Sequence, residues 1–179
     1  LYDDDTRLFW FNGDSFEANV QLELVGILMG LAIYNDVILD VHFPMIVYKR
    51  LCGVEPELED LFELKPTIHK SLMSLLQVED ASQAYLTFEI TYENMWGETI
   101  TKELIENGAN IDVTNENRHQ FVDEYVKFLL ITSVKREFEA FKAGFLKVVG
   151  GEAFDLFRPE ELELLICGSS VLDFKELQS

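Results

Sequence analysis

Tyr85-Leu86-Thr87-Phe88-Glu89-Ile90-Thr91-Tyr92 alternates apolar and polar side chains without a break. Leu86, Phe88, Ile90 and Tyr92 fall on one face and Thr87, Glu89 and Thr91 on the other, the pattern of a half-buried strand. Elsewhere the apolar spacing is mostly that of helices. Before the strand, Pro66 opens a helix with Ile68, Leu72, Leu75 and Leu76 on one stripe. After it, Leu104-Ile105, Glu106-Asn107-Gly108-Ala109-Asn110 and Ile111-Asp112-Val113 read as a hairpin about an Asn-Gly turn. A helix from near Asn115 follows, with Phe121, Tyr125 and Phe128 on one stripe and Val122, Val126 and Leu129 beside it. A small α/β unit of hairpin and short sheet therefore sits inside a mostly helical chain. The fold class is α+β.

The flanks carry the helices. Leu8-Phe9-Trp10-Phe11 is a short aromatic run before an Asn12-Gly13 turn signal. From Val20 to Tyr34, Leu24, Ile27, Leu28, Leu31 and Ala32 keep helical spacing with little polar between them, which predicts a helix buried nearly all round. Gly26 and Gly30 share a face of it, where another element can approach closely. Pro44 opens a helix carrying Ile46, Val47 and Leu51, and Gly53 closes it. Val54 to Asp60 is an acidic connector containing Pro56 and marks a candidate boundary. Val134, Phe138, Phe141, Phe145 and Val148-Val149 build a strongly apolar helix ended by Gly150-Gly151. Phe157-Arg158-Pro159-Glu160-Glu161 is a helix start, with Pro159 in the first turn and two carboxylates at the positive dipole end. Leu162, Leu164, Leu165 and Ile166 are expected to bury that helix, and Gly168 to stop it.

Composition narrows function. The chain has 179 residues, 33 Asp+Glu against 14 Lys+Arg, and a net charge of −19. With 48% hydrophobic residues it can bury a core, so disorder is not expected. Nucleic-acid binding needs clustered Lys and Arg, of which there are none, and an anionic membrane surface is excluded by the same charge. The longest apolar run, Leu24 to Tyr34, has eleven residues. A bilayer-spanning helix needs about 20. The start, Leu1-Tyr2-Asp3-Asp4-Asp5, is acidic where a signal peptide is basic, and reads as a solvated turn rather than a metal loop. Two cysteines, Cys52 and Cys167, suggest a reducing compartment. The expectation is a soluble intracellular protein, cytoplasmic or nuclear.

Catalytic motifs are lacking. No Gly-rich phosphate loop, metal-spaced Cys/His pair, G-x-S-x-G elbow or H-E-x-x-H stands in the chain. His42, His69 and His119 stand alone. Cys167 ends an apolar helix, where burial raises its pKa, and neither cysteine has a base beside it. No cofactor and no metal is implied. Ile68 and Leu72 on one helix, Leu86 on the strand, and Phe121 and Tyr125 on the next helix either converge in a groove or form the inserted unit's own core. Spacing alone leaves both open.

Several stretches resemble a known family: Leu8-Phe9-Trp10-Phe11-Asn12, Leu31-Ala32-Ile33-Tyr34-Asn35, Ile38-Leu39-Asp40-Val41-His42-Phe43-Pro44, Val113-Thr114-Asn115-Glu116-Asn117-Arg118, and the run from Phe157 to Ser169. In order and essentially end to end, they look like the N-lobe of HECT-type ubiquitin ligases, closest to the papillomavirus-oncoprotein-associated subgroup. The resemblance implies a large subdomain in two parts, residues 1–55 and 136–179, the latter ending near the hinge to a C-lobe. It implies a small subdomain, residues 56–135, that docks a ubiquitin-conjugating enzyme. The docking groove it implies is Ile68, Ser71, Leu72, Val78, Leu86, Phe121 and Tyr125, with Phe121 a partly exposed aromatic receiving a partner side chain. Between Gln77 and Ala84 the chain is shorter than the family pattern.

The implied reaction is transthiolation, in which ubiquitin passes to a C-lobe cysteine and then to a substrate lysine. Neither Cys52 nor Cys167 matches that nucleophile, so no catalytic residue is assigned here and the fragment is expected to be inactive alone. Phe157 matches an aromatic of a second, ubiquitin-binding surface, and substrates are expected to engage regions outside this chain. The alternative is a non-catalytic interaction scaffold using the same groove. Residues 56–135 hold 15 carboxylates against 6 basic side chains, net −9, the most acidic segment. A basic partner would be steered towards it.

Overall fold

The computed structural model describes residues 2–3, 7–13, 19–94, 96–151 and 154–168. Asp4 and Asp5 of the acidic start lie outside them. The architecture is α+β: seven α-helices and two small antiparallel sheets among the described residues. The chain forms two compact units, Leu1–Trp10 with Glu17–Val54 and Glu137–Ser179, and Phe11–Phe16 with Glu55–Arg136.

In the first unit, β1 (Tyr2–Asp3) pairs antiparallel with β2 (Leu8–Phe9), Tyr2 opposite Phe9. Helix α1 (Asn19–Tyr34) buries Leu22, Gly26, Met29, Gly30 and Ala32. Its glycine face lies on α6 (Lys135–Val149): a Cβ at Gly26 would fall 2.7 Å from the Phe145 amide nitrogen, and one at Gly30 2.8 Å from the Val148 Cβ. Gly144 of α6 answers from the other side, its missing Cβ admitting the Glu23 backbone. The close approach expected of the two glycines is therefore present. Burial all round is not. Leu24 and Leu28 are each 53% exposed, and Val20, Leu31 and Tyr34 are exposed as well. At 100° per residue, Val20, Leu24, Leu28 and Leu31 lie opposite the glycines. One face of α1 is committed to α6, and no described part of this unit covers the other.

Helix α2 (Met45–Leu51) starts after Pro44, whose extended φ and ψ suit an N-cap, and ends before Gly53 in a left-handed conformation. It packs on α7 (Pro159–Cys167), where Pro159 opens the helix and Glu161 accepts from the Arg158 backbone N–H. Gly168 ends α7 at φ +73°. Here too the apolar pattern overstates burial: Leu162 and Ile166 are buried, whereas Leu164 and Leu165 are exposed. Tyr48, Phe138, Phe141 and Phe145 fill the interior, with the Arg50 guanidinium 3.6 Å above the Phe138 ring.

In the second unit, a short α3 (Leu61–Leu64) leads into α4 (Pro66–Gln77), with Pro66 in its first turn and Leu72 and Leu75 buried. The strand is shorter than its alternation suggests. β3 is Glu89–Glu93, and it pairs with β4 (Thr99–Glu103), Ile90 opposite Lys102. The expected hairpin about Asn107-Gly108 is not the one that forms. β4 carries a single apolar residue, Ile100, so no burial pattern marked it, and its strand preference rests on Thr99 and Thr101. The turn is closed by Asn94, whose side-chain oxygen accepts from the Trp96 and Glu98 amides. Asn107 and Gly108 do turn the chain, with Asn107 left-handed at φ 60°, but into a 3-10 turn that lays Gly108 on the Phe88 backbone. α5 (Arg118–Leu130) closes the unit, burying Phe121, Val122, Val126, Phe128 and Leu130.

Candidate docking site

The residues implied as a groove sit on three pieces of the second unit. α4 supplies Ile68, Ser71 and Leu72; the link from α4 to β3 supplies Val78 and Leu86; α5 supplies Phe121 and Tyr125. α4 and α5 pack together, so the stripes of the two helices do meet.

They meet at different depths. Phe121 is only 2% exposed and Leu72 5%, so the expectation of a partly exposed Phe121 is corrected: it is a core residue. Its ring stands edge-on to Phe88, centroids 5.4 Å apart at 88°, and 5.7 Å from the Tyr125 ring. Helical spacing picks the face a side chain occupies, not how much neighbouring chain covers it. Phe88, which the alternation had placed correctly on the inner face, is what covers Phe121. Ile68 and Tyr125 are half-buried, and burial pushes the Tyr125 hydroxyl above its ordinary pKa. Ser71 is exposed with its hydroxyl donated to the Thr67 carbonyl, 3.0 Å. Val78 at 40% and Leu86 at 39% are exposed apolar side chains. By depth, Leu72 and Phe121 are buried, Ile68 and Tyr125 half-buried, and Ser71, Val78 and Leu86 exposed.

Two features were not read from the sequence. Tyr85 is 92% exposed and left-handed, at φ 50°. No composition signal announces that conformation at a tyrosine. The second feature is a set of side chains in Thr114–Arg118 that hydrogen-bond the α4–β3 link. Arg118 Nη1 donates to the Val78 carbonyl, 2.7 Å, and Asn115 Nδ2 to the Glu79 carbonyl, 2.8 Å. The Ala81 amide donates to Asn115 Oδ1, 2.8 Å.

The remaining candidates lie in the first unit. Phe157 is half-buried, its ring 6.3 Å from that of Phe154. Cys167 donates its thiol to the Val41 carbonyl, 3.0 Å, and lies 3.2 Å from the Tyr48 hydroxyl. Burial raises its pKa first, the Tyr48 hydrogen bond opposing, with Glu163 and Asp40 adding to the rise. Cys52 is raised too, by burial and then by Glu160. Both are poor thiolates. Among the described residues no group of three or more His, Cys, Asp and Glu side chains could hold a metal ion, and no helix is long and apolar enough to cross a membrane.

The second unit thus presents exposed apolar side chains at Val78 and Leu86 in an α+β fold. The family model HECT-domain (ubiquitin-transferase) matches residues 1–179, and the chain belongs to that family. It is 44% identical over 180 residues to the human "Probable E3 ubiquitin-protein ligase HERC4", covering 99% of this chain and 17% of that protein. It is 36% identical over 195 residues to the mouse "Probable E3 ubiquitin-protein ligase HECTD2", covering 99% of this chain and 25% of that one. A Schizosaccharomyces pombe relative, "Probable E3 ubiquitin-protein ligase mug30", is 38% identical over 181 residues, 99% of this chain and 22% of the relative. The chain thus spans between a sixth and a quarter of the length of these relatives.

Proposed function

We propose that this chain is the part of a HECT-type ubiquitin ligase that recruits a ubiquitin-conjugating enzyme, and that the second unit is where it docks. The observation that carries this reading is the pair of exposed apolar side chains, Val78 and Leu86, on the link that follows α4, in a member of a ubiquitin-transferase family. A partner side chain laid between these two residues would bury apolar area on both sides, with Ile68, Ser71 and Tyr125 as walls. Phe121 then acts from beneath, through Tyr125 and Phe88, rather than as the contact itself.

In the parent protein, the ligase thiolate attacks the thioester carbonyl of ubiquitin on the conjugating enzyme. The enzyme's cysteine leaves as thiolate and a ligase thioester forms; a neutral substrate lysine amine then attacks that carbonyl, the ligase cysteine leaves as thiolate, and the amide nitrogen gives up a proton. Nothing is oxidised or reduced. The resemblance places the attacking cysteine in a C-lobe; Cys52 and Cys167 match no family nucleophile, and burial raises the pKa of both. The division at residues 55/56 and 135/136 into large and small subdomains, the ubiquitin contact at Phe157 and the engagement of substrates elsewhere in the parent are part of the same proposal. So is the narrower kinship with the papillomavirus-oncoprotein-associated subgroup, which rests on the motif stretches alone.

Titration of the chain with ubiquitin-charged conjugating enzymes tests the reading. Leu86→Asp should weaken the best-binding enzyme by about tenfold or more, since it places a charge in an apolar contact. Its melting temperature should hardly move, because the site is exposed. Association with a basic enzyme should slow as salt rises. Binding that ignores Leu86→Asp overturns the docking site.

A further inference from the structure

Residues 112–118 supply several of the groups that grip the link between α4 and β3. Arg118 donates to the carbonyls of Val78, at 2.7 Å, and of Leu75, at 3.5 Å. These are among the carbonyls that the end of a helix leaves without intrahelical partners, and the guanidinium also meets the negative end of α4. Asn115 bridges two backbone groups of the link, giving its Nδ2 proton to the Glu79 carbonyl and accepting the Ala81 N–H, both at 2.8 Å. Further along, the Val113 amide donates to the Leu86 carbonyl at 2.8 Å, and Thr87 and Asp112 form an isolated β-bridge. The gripping stretch is itself braced, because Asn117 accepts from the Thr114 amide, 2.7 Å, and donates to the Asp112 carbonyl, 2.9 Å.

Core packing accounts for this grip only at Ala81, the buried residue of the segment. The segment it holds carries three exposed apolar or aromatic side chains, Val78, Tyr85 and Leu86, and Asn115 is exposed as well. A surface link of this kind would ordinarily be polar and mobile. Here it is fixed at both ends and in the middle, with Tyr85 kept in a left-handed conformation that a tyrosine seldom adopts. Fixing an exposed segment in one shape removes ordering entropy from a later binding step.

We infer that Asn115 and Arg118 are positioning residues that hold residues 78–86 as a preformed docking ridge, with Tyr85 at its exposed tip as a further contact for the conjugating enzyme. This rests on the proposed docking reading and adds what shapes the site. Asparagine is required at 115 because one side chain must both donate and accept. At 118 both bonds leave one nitrogen, Nη1, so the position asks for a long cationic side chain rather than for the guanidinium fork.

The test uses the full 179-residue chain and a purified panel of ubiquitin-charged conjugating enzymes, from which the best binder is taken as probe. Asn115→Ala and Arg118→Met should each weaken that binder by about tenfold, mostly through slower association. Arg118→Lys should recover most of the loss. Amide exchange in residues 79–86 should speed about tenfold in Asn115→Ala, while α5 and β3 keep their protection and the melting temperature stays within about 2 °C. Tyr85→Ala should weaken binding without changing exchange. Binding sensitive to Leu86→Asp but indifferent to Asn115→Ala and Arg118→Met overturns the positioning role and leaves the docking site standing. Losses that follow melting temperature, with no rescue by lysine, overturn it equally. A panel without a binder, or binding that ignores Leu86→Asp, overturns both.

Discussion

Two helices, one in each unit, use their apolar side chains in opposite ways. α1 brings Leu24, Val25, Leu28 and Leu31 to solvent and buries its glycines, because the α6 backbone fits only where α1 has no side chains. α5 buries Phe121 and Phe128 against β3 and its surroundings, and turns Asp123 and Lys127 outward. Side-chain size decides which face of α5 is inside. On α1 the absence of a side chain decides it. Burial therefore follows the geometry a neighbour offers, and hydrophobicity alone predicts it only where that neighbour is made of side chains.

The largest effect that would break this comparison is on the glycine face. In Gly26→Val the new Cβ meets the Phe141 carbonyl and lies 2.7 Å from the Phe145 amide, both backbone, so α1 and α6 must separate. The expected outcome is loss of cooperative unfolding in a thermal melt, the mark of a first unit that no longer packs. Leu28→Ser, on the opposite face, should change stability by no more than about 0.5 kcal/mol, as surface substitutions do. Equal destabilisation by both would mean that the leucine face is covered after all.

Next in size is Phe121→Ala. Removing a ring that is 2% exposed and edge-on to Phe88 should cost about 3–5 kcal/mol by chemical denaturation. Part of any loss of enzyme binding would then be loss of the fold, which separates this residue from Leu86, where binding should fall without unfolding. A Phe121→Ala chain as stable as the parent would return Phe121 to the surface and reverse the depth order of the site.

How far the sequence carried differs between the two units for the same reason. Pro44, Pro66, Pro159 and the stop at Gly168 were legible because each acts through its own backbone. The pairing of α4 with α5 was legible because Leu72, Phe121 and Tyr125 keep helical spacing. The depth of Phe121 was not, since it depends on Phe88 from another element. β4 was missed because both its faces are largely polar, and the hairpin was sought at Asn107-Gly108, where a local turn preference was real but joined other pieces. Tyr85 could not be found, because its conformation is imposed by what holds residues 78–86 at either side. Asn115 and Arg118 stood in a quoted motif, yet their hydrogen bonds run to residues far back in the chain.

The smallest expected effect concerns the thiols. The described cysteines, Cys52 and Cys167, both fall in the first unit, and the proposed docking site is in the second. Burial holds both above the ordinary thiol pKa, and Tyr48 above its own, with the Cys167 thiol already given to the Val41 carbonyl. At neutral pH the folded chain should react with iodoacetamide more slowly than the urea-unfolded chain. The sign of the pH dependence follows. A thiol raised in the folded state contributes its full stability below the unfolded pKa of about 8.5, where neither state ionises. Above it the unfolded chain loses its protons first, so stability declines with rising pH until the folded thiols ionise too. Cys167→Ser should flatten that decline. The same protonation keeps either sulfur from attacking a ubiquitin thioester, and charged conjugating enzyme should leave no reducible adduct on a non-reducing gel. An adduct that disappears in Cys52→Ser or Cys167→Ser would make the first unit a catalyst, and would end the contrast between a unit that packs and a unit that docks.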